Sequence, residues 1–551
     1  MFLYLCMGMV SDVKLYRKHL PQYSTWKQNQ DETEAKRLAY LKQNPNEVNQ
    51  YDIQRGKTLL RAIDVMDEYS QKNAEDMEVA TEQVMSVGTE VASFLGMGLG
   101  ALVGALKPVK NFITKVTPEK VAKFLGGSEF ASYGVCGFLG MLVATSIAAF
   151  PLQSWAAKAE IGASRKGRFE AMRSDLGDAK SFVVLTQEQE QKLEEKLEAT
   201  ATQKEKKKPF KSIRDSFNVI KEGIYGNSVY DKQKMLFEQR IEDEKALFEE
   251  ELSPKEIEDA KRDQQLLTKL VQKIDIASQD YAENTELATS TALVTVGGFG
   301  ALLTMLISKV APSLTKHTGI LSAVAGVGTA ILAASVQKEA SRVGRFKVKQ
   351  ELSKNPETLV YVDDEKIKDI TDFKVEEKKK PNIFKFLIQA VKDKREYDKW
   401  KKTEGLKEKN LAKAMQDIEF TDEQLKDAKR LQHNTFKTFN KVDENSQKYS
   451  ESVEALGQAA QYPFIMLFSM LGAAVGSKYL MEALMSNKNK ALGYAKYVGS
   501  ILLSVTPAIL INAFLTKQQK QASRVADMLS IKEMEDYRNF VDYSDKIEIH
   551  N

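Results

Sequence analysis

Six apolar runs of roughly 18 to 25 residues interrupt the chain, near 84–106, 131–155, 287–308, 319–336, 455–476 and 492–515. Each is long enough to cross a hydrocarbon core of about 30 Å. In lipid every backbone amide must be satisfied within its own segment, so each run is expected to be a helix. The runs come in pairs joined by polar links, and each pair reads as a transmembrane helical hairpin. Between the pairs the chain is dense in Lys and Glu, so the expectation is an all-α membrane protein with substantial polar parts.

The three pairs sit in copies of one pattern, and a period of this kind decides the fold before any residue does. SQKNAEDMEVAT (70–81), SQDYAENTELAT (278–289) and SQKYSESVEALG (446–457) precede the first, third and fifth runs. Three acidic columns keep register through them at offsets of 208 and then 168: Asp67, Asp275 and Asp443; Glu75, Glu283 and Glu451; Glu78, Glu286 and Glu454. After the second helix of each pair stands ASRKGRF (163–169), ASRVGRF (340–346) or the weaker ASRVADM (522–528). Eighteen residues beyond each serine of that motif lies a short β-prone piece, FVVLT at 182, LVYVD at 359 and VDYSD at 541. The chain therefore divides into repeat units at 1–203, 204–375 and 376–551, six transmembrane helices in pseudo-threefold order.

Within each unit an amphipathic piece and a charged helix should come before the hairpin. Phe210, Ile213, Phe217 and Ile220 fall at helical spacing. Ser253-Pro254-Lys255-Glu256 and Thr421-Asp422-Glu423-Gln424 have the capping-box pattern that opens a helix, and Asn44-Pro45-Asn46-Glu47 reads as a similar start shifted by one. The opening MFLYLCMGMV lacks a basic leader and a small-residue cleavage site, so it is read as part of an amphipathic helix and not as a signal peptide.

Two sets of residues are candidates for special roles. Small residues four apart, Gly96, Gly100 and Gly104, Ser322, Gly326 and Ala330, and Gly472 with Gly476, would let helix backbones approach closely where lipid supplies no hydrophobic drive. Asp67, Ser70, Glu75 and Glu78 share one helix face. An antiparallel hairpin brings Glu286 level with Arg342, so the expected pairs are Glu78 with Arg165, Glu286 with Arg342 and Glu454 with Arg524. They serve as register latches at the membrane surface, or, on the alternative reading, Glu78, Glu286 and Glu454 ring the mouth of a pore.

Other chemistries find little support. The net charge of +4 and the lack of a finger or RNA-binding signature exclude a nucleic-acid partner. Two cysteines give no disulfide framework. Four scattered histidines show no metal-ligand spacing, no hydrolase or nucleotide-binding motif appears, and no cofactor is expected. Lys206–Lys208 and Lys378–Lys380 stand as contacts for anionic lipid. The functional expectation is a non-enzymatic integral membrane scaffold or assembly protein, with both termini and the helical arms cytoplasmic and open to lipid, protein partners or a second copy. The alternative is a channel or transporter with a pseudo-threefold pore and an acidic vestibule.

Overall fold

The computed structural model of the chain describes residues 2–116, 128–200, 252–310, 336–337, 339–375, 383–403, 405, 411, 414–415, 418–485, 511 and 514–541. These are 88% helical and include no strand. In chain order the helices are α1 (Phe2–Gln43), α2 (Gln50–Gly104), α3 (Lys107–Val116), α4 (Ser128–Arg173), α5 (Gln187–Thr200), α6 (Pro254–Val310), α7 (Ala340–Lys354), α8 (Ile383–Lys402), α9 (Asp422–Met485) and α10 (514–533).

Three of them, α2, α6 and α9, are rods of 55, 57 and 64 residues. At 1.5 Å per residue α2 alone is about 80 Å long. Each rod runs without a break from a charged stretch into an apolar one. Their starts are chemically marked. Ser253 and Glu256 cap α6 reciprocally, Ser253 N–H donating to Glu256 Oε2 at 2.9 Å and Glu256 N–H to Ser253 Oγ at 3.3 Å. Thr421 and Gln424 do the same for α9 at 3.1 and 3.2 Å, and Thr186 with Gln189 for α5.

The start of α2 lies elsewhere than at Asn44. Residues Pro45–Glu47 form a 3₁₀ turn, Val48 is extended, and Asn49 is the true cap, its side chain accepting from Tyr51 N–H at 2.9 Å. Asn44 faces backward, donating its side-chain amide to the Tyr40 carbonyl at 3.0 Å, so it closes α1.

The β-prone pieces are a second correction: 182–186 and 359–363 do not pair as strands, and of 541–545 only Val541 is described. Each is a 3₁₀ turn, Ala179–Phe182, Pro356–Leu359 or Tyr537–Phe540, running into extended chain. Side-chain amides take the place of a neighbouring strand. Gln265 both donates to the Val362 carbonyl at 2.8 Å and accepts from its N–H at 3.1 Å. Asn434 donates to the Phe540 carbonyl at 2.9 Å, and the Arg61 guanidinium plays the same part at the Ser181 carbonyl beside Phe182. The β-forming residues serve as apolar plugs: Phe182, Leu359 and Phe540 are all buried against the rods.

Those plugs complete one core. Leu59, Ile63 and Met66 of α2, Leu266, Leu267 and Leu270 of α6, and Leu431, Phe439 and Val442 of α9 supply its centre. Steps of three or four residues, or two turns as from Leu431 to Phe439, direct one stripe of each rod inward.

Away from this core α2 packs along α4. Among the described residues one helix, Val135–Arg173 with hydropathy 2.0, is long and apolar enough to cross a membrane. A second passes if Gly88–Gly104 and Lys107–Ile113, bent by 92°, form one broken span. Length and composition alone are weak grounds for a membrane. The runs at 287–308 and 455–476 lie inside α6 and α9 as helix. The run at 319–336 but for Val336, and most of 492–515, fall outside the described residues, as do residues 201–251 with Phe210 and Lys206–Lys208, and Lys378–Lys380.

Candidate functional site

Asp67, Ser70 and Gln71 lie at spacings of three and four on α2, so they share a face. Asp275, Ser278 and Gln279 repeat it on α6, and Asp443, Ser446 and Gln447 on α9. The three faces meet. Gln71 Nε2 donates to Ser278 Oγ at 3.0 Å, Gln279 Nε2 to Ser446 Oγ at 3.2 Å, and Gln447 Nε2 to Ser70 Oγ at 3.2 Å, which closes a ring through the three rods. Each glutamine also bonds the aspartate four residues before it. The ring is dry: Ser70 is 0%, Ser278 2% and Ser446 1% exposed.

The ASR motif supplies the outer half of this layer. Its serine bonds the ring serine of the same unit: Ser164 with Ser70 at 2.6 Å, Ser341 with Ser278, and Ser523 with Ser446. Its glycine permits the approach. A Cβ at Gly344 would stand 2.7 Å from the Ala277 carbonyl oxygen, and one at Gly167 would run into the Tyr69 carbonyl. The residue four beyond the serine crosses to a different unit. Arg345 bonds Asp67, and Arg168 bonds Asp443. Burial pushes the Asp67 carboxyl up, and the Arg345 guanidinium opposes that rise. The third copy carries Asp527 at this place, against Asp275.

A second polar layer lies twelve residues back along α2, about 18 Å away at helical rise. Arg55 and Asp263 are fully buried, with Arg55 Nε donating to Asp263 Oδ1 at 3.1 Å. Arg55 also reaches Asp427 Oδ2 at 3.1 Å and Tyr51 Oη at 3.2 Å. Arg430 lies beside Asp263 at 3.4 Å and donates to Asp259 at 3.0 Å. Asn434 donates to Asp263 Oδ2 at 3.1 Å. No group of three or more His, Cys, Asp or Glu able to hold a metal occurs among the described residues.

The residues singled out by spacing fall in several places. Arg165 donates to Glu444 at 2.6 Å. Arg524 pairs with Asp280, and Gln519 donates to Glu454. The side chains of Glu78 and Glu286 lie outside the described residues, so their pairing with Arg165 and Arg342 does too. At Gly96, Gly100 and Gly104 the backbone of α4 passes directly against α2. A Cβ at Gly104 would stand 2.7 Å from the Ser132 carbonyl oxygen, and Cβ atoms at Gly96 and Gly100 would overlap Gly140 and Cys136. Ser322, Gly326 and Ala330 are outside the described residues; Gly472 and Gly476 lie within α9.

Spacing did not single out Arg168, Arg345, Asp527, Gln71, Gln279, Gln447 or the Arg55 cluster. The signal was present in the Ser-Gln pair copied at 70, 278 and 446 and in the motif's own glycine and second arginine. No family model, curated protein or solved structure matches the chain.

Proposed function

We propose that the protein is a non-enzymatic membrane-anchored scaffold. Three copies of one unit lock their long rods together above the bilayer and stand on paired helices within it. The observation that carries this reading is the outer face of α2 and α4. Phe94, Leu99, Leu102 and Ile147 are 68%, 64%, 68% and 68% exposed, and Val91, Leu95, Leu139 and Val143 stand out with them. A contiguous apolar surface of this kind is rare on a protein bathed in water. It is ordinary against lipid tails, where close glycine contacts hold the pair together. The three-copy arrangement is supported by the ring of Gln-Ser bonds at the offsets of the sequence copies.

The same ring speaks against a conducting path along the rods. Its serines are buried, and their hydroxyls and the amides of Gln71, Gln279 and Gln447 occupy the axis. The expected result for purified protein in sealed liposomes is ion leakage no faster than from empty liposomes. Sustained cation flux, abolished by charge-reversing Glu454, would favour a channel with an acidic vestibule.

A further inference from the structure

The three junctions between rods share their Gln-Ser bonds and differ in the residue set against the ring aspartate. Two of them set a guanidinium on the ring aspartate, Arg345 on Asp67 and Arg168 on Asp443. The third sets Asp527 against Asp275. Asp527 is 1% exposed, and neither of its carboxylate oxygens accepts a conventional hydrogen bond from a described residue. A buried acceptor left this way costs free energy unless a proton or a cation satisfies it. Two like charges in contact cannot both ionise in such a place.

We propose that Asp275 and Asp527 form a proton-binding site, holding one proton between them where the other two junctions hold a guanidinium. The junction of α6 with α10 then tightens in acid and loosens in alkali.

The surroundings fit a proton. On α6, Gln279 donates to Asp275 at 2.9 Å and to Ser523 at 2.5 Å. From α9 the Ser446 hydroxyl donates to Asp275 at 3.3 Å, and Asp443 is already engaged by Arg168. From α2, Asp67 adds negative potential to Asp275. On α10 itself Arg524, and from α9 the Ser446 hydroxyl, draw the Asp527 carboxyl down, but the Arg524 guanidinium is bound to Asp280. From α1, Tyr23 faces the group with its phenol pushed up to about 12 by burial, so it stays neutral. At the ring itself four aspartates, Asp67, Asp275, Asp443 and Asp527, thus meet two arginines, Arg168 and Arg345, since Arg524 is taken by Asp280. Burial raises both members of the pair, Asp275 to about 6 and Asp527 well above the usual carboxylate range.

The sign of the pH effect follows. A carboxyl whose folded value is raised binds its proton more tightly folded than unfolded, so stability is lost as pH rises from about 4 through 6 and beyond. One such proton changes the unfolding constant by up to about tenfold per pH unit.

The test is the unfolding of the full chain in detergent between pH 5 and 8.5, for the natural protein, Asp527→Asn and Asp527→Arg. The natural protein is expected to weaken across this range by up to about tenfold in its unfolding constant per pH unit. Asp527→Asn should flatten that slope and be the more stable of the two at pH 8. Asp527→Arg, which supplies the missing guanidinium, should flatten it as well and serves if the asparagine variant does not fold. The natural protein should also show the infrared band of a protonated carboxylic acid at pH 7, lost in either variant. Equal pH slopes in all three, or no such band, would overturn the proposal. So would stability at fixed pH that follows the choice of sodium, potassium or magnesium, which would put a metal ion in the proton's place.

Discussion

Replacing Arg55 with methionine is expected to remove about 3–5 kcal/mol of folding stability, the cost of breaking a buried pair by deleting one partner. Arg55 and Asp263 are both fully buried, and the guanidinium also serves Asp427 and Tyr51. Without it Asp263 keeps only Asn434 at 3.1 Å and Arg430 at 3.4 Å, while Tyr51 and Asp427 lose their common donor. Arg430 lies on the same helix as Asp427 and already bonds it, so it cannot close further on Asp263 without leaving a second carboxylate exposed to the same deficit. Urea unfolding followed by helical circular dichroism measures the loss. Arg538→Met, which removes an exposed pair with Asp536, is the control and should shift stability by no more than about 1 kcal/mol. Adding Asp263→Leu to Arg55→Met should recover much of the deficit, because an apolar pair avoids the desolvation both charges suffer. A single variant indistinguishable from the control would mean that this layer is open to water.

Replacing Arg345 with alanine is expected to cost a similar 3–5 kcal/mol at neutral pH, with a pH signature of its own. Arg345 is the cation on Asp67 and lies 3.9 Å from Asp64. Burial already raises the Asp67 carboxyl, and the guanidinium is the largest influence holding it down. Asp64 keeps Lys349 at 2.5 Å, so the damage concentrates on Asp67. With the cation gone Asp67 has to be protonated or stand as a bare buried charge. A group with a raised folded value is favourable below that value and unfavourable above it, so the penalty of the variant should be smaller at pH 5 than at pH 8. Asp67→Asn in the same chain should remove the pH dependence. A penalty that is constant from pH 5 to 8 would show that Arg345 acts by packing alone.

The sequence made some of this legible. The aspartates at 67, 275 and 443 recur at fixed offsets, and in the folded chain all three meet at one layer. The capping boxes at Ser253 and Thr421 were readable because their chemistry is local. Which arginine of the ASR motif engages which acid was not readable. Spacing along a helix defines a face but not the neighbour that face will meet. A hairpin calculation can pair only residues of one unit, whereas Arg345 and Arg168 cross to another. The β-prone pieces misled for a related reason. Val183, Leu359 and Val541 are strand-forming in composition, but a strand needs an unpaired edge beside it, and here helices supply side-chain donors. At Asn44 the cap residue was of the right type, yet Pro45 made a 3₁₀ turn before the helix could begin.

The central claim is that α2 and α4 carry their apolar face into lipid while the polar layers stand clear of it. A polarity-sensitive fluorophore on a single cysteine at position 94, in a full chain whose Cys6 and Cys136 are replaced by alanine, tests it in vesicles containing brominated acyl chains. The expected result is strong quenching by the brominated lipid and little by aqueous iodide, with the opposite pattern for the same probe at position 51, where Tyr51 is 42% exposed beside the Arg55 layer. Iodide quenching at position 94 equal to that at position 51, with no effect of brominated lipid, would contradict the account.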